Sequence, residues 1–101
     1  MATEITVSNS EEFEDMIKNH DLNIAVALTD TIISNLKGRK RHIHALSVVV
    51  EEEASIYDIT IDRQDFQDTL TKQLPVFEKH EMYEKCAEIV TAVKFLENKN
   101  K

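Results

Sequence analysis

A run of cations near the middle of the chain is the strongest local sign of chemistry in its 101 residues. Four cations lie within five residues, beside Gly38: Lys37, Arg39, Lys40 and Arg41. Arginine and lysine at this density can clamp a phosphate group or an acidic protein surface. They can also solubilise a helix end and favour its dipole, because cations are stabilising near a helix C-terminus. The first interpretation predicts anion binding that weakens as the salt concentration rises.

Three other groups of residues have side chains that could bind a metal ion or take part in catalysis. His42 and His44 would share one side of a strand, but a structural zinc ion normally takes four ligands. His80 and Cys86 could form a thiol nucleophile with its base, yet six residues along one helix separate them by about 9 Å. The acids of residues 51–53 are explained by solvation of a loop. We therefore expect no catalytic residue, no metal site and no cofactor.

The composition predicts one soluble domain covering residues 1–101, with residues 1–9 and 98–101 frayed. Hydrophobic residues make up 42% and charged residues 31%, which is ordinary for a globular protein. The single cysteine cannot form an internal disulfide, the N-terminal sequence does not resemble a secretion signal, and no apolar run is long enough to cross a bilayer. These features together predict a cytoplasmic protein.

Charge is distributed unevenly along the chain. The net charge of −7 divides into −6 for residues 1–36, +4 for residues 37–44 and −5 for residues 45–101. General affinity for nucleic acid needs a broad positive face, so we expect it less than a protein partner. An acidic surface that mimics DNA is a further alternative, which the net charge permits.

Two helices are predicted in the N-terminal third. Ser8 and Ser10 are candidate N-terminal caps for a short helix from about Glu11 to His20. Ser8 and Glu11 are three residues apart, which is the spacing of a capping box. Asp21 is placed to cap a second helix, which has apolar residues at steps of three and four. Gly38 is expected to end that helix in a left-handed conformation.

The central segment predicts a β-hairpin. Residues 42–50 and 56–61 are rich in β-branched side chains, and the second run alternates apolar with polar residues. Two antiparallel strands would join around Glu51 to Ser55. This connection has no Gly, Asn or Pro, and its glutamates favour helix, so a helix over residues 40–54 is the alternative.

The C-terminal third predicts a helical hairpin. Asp62 is placed to cap a third helix, in which Pro75 should cause a kink or a fresh start, and a last helix should run from about His80 to Asn98. The expected fold class is therefore α+β: two N-terminal helices, a central β-hairpin and a C-terminal helical hairpin. An all-α fold is the alternative.

Residues 70–96 resemble the UVR motif, a helical hairpin of nucleotide-excision-repair subunits and of adaptors for bacterial Clp proteases. The matching positions are Tyr83, Glu84, Cys86, Ala87, Ile89, Val93 and Leu96. In that family the hairpin mediates protein interactions by pairing with another hairpin. The resemblance implies that this segment binds a protein partner or a second copy of the chain.

In size, acidity and composition the chain resembles the small accessory proteins with which large tailed phages modify host machinery. We therefore expect a non-enzymatic binding or regulatory protein. The predicted contact surface lies on the helical hairpin and comprises Phe77, Met82, Tyr83 and Val90. The alternative function is binding of phosphate or nucleic acid through residues 37–44.

Overall fold

The computed structural model describes residues 3–99, and within that range it contains four α-helices and one three-stranded sheet. The elements follow one another in this order: β1 (Thr3–Val7), α1 (Ser10–Lys18), α2 (Leu22–Ser34), β2 (His42–Val50), β3 (Ser55–Asp62), a 3₁₀ turn (Arg63–Asp65), α3 (Phe66–Lys79) and α4 (Tyr83–Lys99). The predicted α+β class is confirmed. The all-α alternative is wrong, because the central segment forms two paired strands.

The sheet has the strand order β1-β2-β3. β2 and β3 are antiparallel, as predicted, and a bulge between His44 and Leu46 interrupts their register. β1 runs parallel to β2, with Val7 opposite Val50. The bulge places Ala45 and Leu46 in succession on the buried side of β2.

β1 corrects the prediction that residues 1–9 are frayed. Residues 3–7 pair with residues 46–50 of β2, and Val7 is buried against the helices. A five-residue segment is too short to show a clear strand pattern of its own, and the strand with which it pairs lies more than 40 residues away in the sequence. At the other end α4 continues to Lys99. The fraying predicted for residues 1, 2, 100 and 101 lies outside the described residues, and the single domain stays a prediction.

The caps of the first two helices follow from side chains close in sequence. Asn9, rather than Ser8 or Ser10, caps α1: its Oδ1 accepts a hydrogen bond from the backbone N–H of Glu12 at 2.9 Å. The Glu12 carboxylate in turn accepts from the backbone N–H of Ser8 at 2.8 Å. The capping arrangement is therefore present, but one residue later than predicted. Asp21 caps α2 as predicted, accepting from the N–H groups two and three residues on, at 2.9 and 3.2 Å.

Three other sequence-based expectations need correction. Gly38 does not adopt a left-handed conformation, since α2 ends at Ser34 and no glycine has positive φ. Asp62 makes no side-chain cap, because its carboxylate faces His42 across the hairpin. Pro75 does not begin a new helix, because α3 runs unbroken from Phe66 to Lys79; the alternative of a kink stays a prediction. Burial of the two residues that follow Pro75 offsets the cost of a proline inside a helix.

α2 contacts both β2 and α3, and it contributes residues to two separate clusters of the hydrophobic core. One core cluster lies between α2, the start of the hairpin and the α3–α4 pair; its largest members are Ile32, Phe66, Leu70, Phe77 and Ile89. A second cluster joins β1 and β2 to the first two helices and contains Val7, Ala27, Leu46, Val48 and Val50. Among the described residues, no helix is both long and apolar enough to cross a membrane.

Candidate functional site

The helical hairpin presents only part of the predicted contact surface. Phe77 is completely buried in the core, so its assignment to a contact surface is wrong. Its position in the apolar pattern of α3 reflects packing against the other helices. Met82 is partly buried against the same core. Tyr83 and Val90, by contrast, are 64% and 44% exposed.

Tyr83 and Val90 lie on the same side of α4. They are seven residues apart, which is close to two helical turns, and Ala87 lies exposed between them. We call Tyr83, Ala87 and Val90 the α4 stripe. The opposite side of α4 is docked in the core through Ile89, Ala92 and Leu96.

Acidic side chains border the N-terminal half of the α4 stripe. A shallow depression of about 450 Å³ lies there, lined by Glu81, Met82, Tyr83, Glu84, Lys85 and Glu88. Lys85 is engaged with Asp30 of α2 and with Glu88 at 3.5 Å. The glutamates therefore give this end of the stripe a negative potential, which favours a partner carrying cations beside apolar residues.

The basic run forms the loop between α2 and β2. The side chains of Lys37, Arg39, Lys40 and Arg41 are all exposed. Within residues 3–99 none of the four forms an ion pair. The predicted anion-binding residues are therefore accessible to solvent, and no ion pair within residues 3–99 neutralises their charge.

Arg63, which sequence reasoning missed, holds this loop in place. Its Nε donates to the carbonyl oxygen of Lys40 at 2.7 Å, and its Nη1 donates to that of Asn35 at 3.1 Å. Its guanidinium lies 4.9 Å from the centre of the Phe66 ring. A Cβ atom at Gly38 would lie 3.4 Å from Nη2, which is an ordinary van der Waals distance, so the guanidinium packs closely against the backbone of the loop. No local pattern marks Arg63, because the carbonyl groups it binds are 23 and 28 residues away.

A cleft of about 600 Å³ opens beside the anchored loop. It is lined by Arg41, His42, Asp62, Arg63, Gln64, Gln67, Leu96 and Lys99. The fold thus brings together cations from the basic loop, from the 3₁₀ turn and from the end of α4. The single acid in this lining, Asp62, is paired with His42.

The two histidines of β2 belong to networks between the strands. His44 Nε2 lies 2.9 Å from Ser47 Oγ and 3.4 Å from Asp58 Oδ1, and the serine donates to that same carboxylate at 2.8 Å. In a catalytic triad the acid and the nucleophile contact different ring nitrogens of the histidine. Here both face Nε2, so Asp58 cannot orient His44 as the base for Ser47. No group of three or more potential metal ligands occurs in the described part of the chain.

The thiol interpretation of His80 and Cys86 finds no support in their surroundings. His80 is exposed at the end of α3, whereas Cys86 is partly buried against the core. The sequence predicted that one helix carries both residues, and this is wrong, because His80 ends α3 and Cys86 lies in α4.

Comparisons with known proteins found no match: no family model fits the chain, and no curated protein and no solved structure is significantly similar to it. The candidate surfaces therefore rest on geometry and charge.

Proposed function

We propose that this chain is a small, acidic, non-enzymatic protein of the cytoplasm that regulates a partner by direct protein–protein contact. The observation that carries the proposal is the α4 stripe. Its tyrosine and valine remain exposed although the opposite side of the same helix is fully used in the core. Tyrosine is enriched in protein interfaces, because it combines a large apolar surface with a polar tip.

The partner best suited to this surface is an amphipathic helix. Apolar side chains of such a helix would pack on Tyr83 and Val90, and its cations would face the glutamates beside the N-terminal half of the stripe. One helix face buries little area, so the complex should be weak and readily reversible, as suits a regulator. The resemblance of residues 70–96 to the UVR hairpin and of the chain to phage accessory proteins supports a partner in host machinery.

The experiment compares a double variant of the stripe with a matched control. Tyr83→Ala with Val90→Asp should reduce partner binding by at least about tenfold, because it removes the aromatic contact and buries a charge. Helix content, measured by circular dichroism, should stay unchanged, since both side chains are exposed. Ile56→Asp is the control: Ile56 is 66% exposed, but it lies on β3.

Each variant would be immobilised, exposed to nuclease-treated bacterial lysate and assayed by quantitative mass spectrometry. A protein retained by the unmodified chain and by the control, but lost with the double variant, would support the proposal. Equal retention by all three would contradict it. Sedimentation of the purified chain would reveal whether the occupant is a second copy, in which case the double variant would be monomeric.

A further inference from the structure

The fold concentrates positive charge at one end of an acidic molecule. The basic loop contributes four cations, of which Arg41 lines the cleft beside β2 and the 3₁₀ turn, and Arg63 and Lys99 line the same cleft. Because the chain as a whole has a net charge of −7, the residues outside this group carry −13. Such separation of charge creates a local positive potential that attracts anions.

Two of these cations are free to contact a ligand in the cleft. Arg41 and Lys99 both line it, and within residues 3–99 neither forms an ion pair. Arg63 acts differently, because its Nε and Nη1 are used by the carbonyl groups of the loop. It positions Arg41 through the backbone, since its own N–H donates to the Arg41 carbonyl at 2.6 Å.

The rest of the lining suits a small organic phosphate. Gln64 provides an amide that can donate or accept, and Leu96 provides an apolar wall. A volume of about 600 Å³ is within the range of small-molecule sites. The one acid, Asp62, contacts His42, and the three cations Arg41, Arg63 and Lys99 outnumber it in the lining.

We propose that this cleft binds the phosphate group of a small phosphomonoester, with Arg41 and Lys99 as the phosphate-binding residues and Arg63 as their positioning residue. A small ligand is favoured over nucleic acid because a long polyanion would meet the −13 charge of the remaining surface. The site is also separate from the α4 stripe. Tyr83 and Lys99 are the two ends of α4, so they are about 24 Å apart along its axis.

The test is a titration of the intact chain with AMP, followed by backbone amide NMR and calorimetry. We expect AMP to shift the signals of residues that line the cleft, including residues 41, 64 and 99. Adenosine, which lacks the phosphate, should produce no such shifts. Arg41→Gln with Lys99→Gln should weaken AMP binding by at least about tenfold, because two charged hydrogen-bond donors are lost.

The matched control removes the same amount of charge outside the cleft. Lys37→Gln with Arg39→Gln should change the affinity for AMP by less than about threefold, because neither residue lines the cleft. All four substituted residues are exposed, so both double variants should fold.

Several outcomes would overturn the proposal. Equal weakening by the two double variants would show general attraction of anions to the basic loop. Binding of adenosine as tight as that of AMP, or no shift at millimolar AMP, would exclude a phosphate site. Tighter binding of a thymidine oligonucleotide than of AMP would identify nucleic acid as the ligand. An inorganic phosphate titration separates the phosphate contacts from those to the organic group: shifts confined to residues 41 and 99 would support the assigned roles.

Discussion

The guanidinium group of Arg63 joins segments that are far apart in the sequence. It binds backbone carbonyl groups at the end of α2 and in the basic loop, and it lies over the ring of Phe66 at the start of α3. Its planar fork allows separate nitrogens to donate in different directions. Arg63 therefore anchors the basic loop to the end of α2 and to the start of α3.

Replacing Arg63 with lysine should lower the free energy of unfolding by about 2 kcal/mol, because an ammonium group cannot reproduce the forked hydrogen bonds or the stacking. Urea denaturation would measure the change. Arg41→Lys is the control, since this exposed side chain makes no ion pair within residues 3–99 and should shift stability by less than about 0.5 kcal/mol. Equal effects of the two substitutions would contradict the anchoring role.

Individual residues differ in how far the sequence predicted their roles. Asp21 was correctly predicted as a cap, because a cap acts on N–H groups two and three residues away. Phe77 was assigned to the surface but is buried, since periodicity groups residues on one face without showing what covers that face. Tyr83 and Val90 are exposed, as a contact surface requires, but whether they bind a partner stays a prediction.

The hairpin of β2 and β3 is an element whose extent and turn position were predicted well, whereas the backbone conformation of its turn was not predicted. The turn has no glycine, and Ala54 adopts φ of 51°, in the left-handed region. An L-residue with a Cβ atom is strained there, whereas glycine is not. Pairing along eight residues of each strand keeps the turn in place.

Ala54→Gly should therefore raise the free energy of unfolding by about 0.5 to 1 kcal/mol, because it relieves the left-handed strain. Ala87→Gly should instead lower the free energy of unfolding. Ala87 is exposed inside α4, where glycine costs about 1 kcal/mol. Thermal or urea unfolding of the two variants would compare them directly. A loss of stability in both would show that the turn is not strained.

The C-terminal hairpin is tied to the rest of the fold by an ion pair between distant parts of the chain. Lys85 of α4 donates to Asp30 of α2, 55 residues away. The hydrogen bond to Asp30 raises the pKa of Lys85 above its usual range, although partial burial acts in the opposite direction. The charged form is therefore favoured in the folded state. This contribution to stability is complete below the usual lysine pKa and is lost as the pH rises through the raised value.

Lys85→Gln should consequently destabilise the protein near pH 8, and the difference from the unmodified chain should shrink at about pH 11. Urea denaturation at the two pH values would measure it. Lys72→Gln is the control, because Lys72 pairs with Asp68 at 3.0 Å on an exposed surface, where an ion pair contributes little. A difference for Lys85 that does not vary with pH would show that packing, rather than charge, accounts for the contact.

Local patterns in the sequence were sufficient to predict four helices, two antiparallel strands and the α+β class. Caps, apolar periodicity and β-branched runs act between residues a few positions apart, so they can be recognised without knowing the fold. The parallel pairing of β1, the assembly of the cleft and the burial of Phe77 followed only from the three-dimensional arrangement. Each depends on contacts between segments tens of residues apart, and the energy of such contacts comes from mutual packing and charge that neither segment encodes alone.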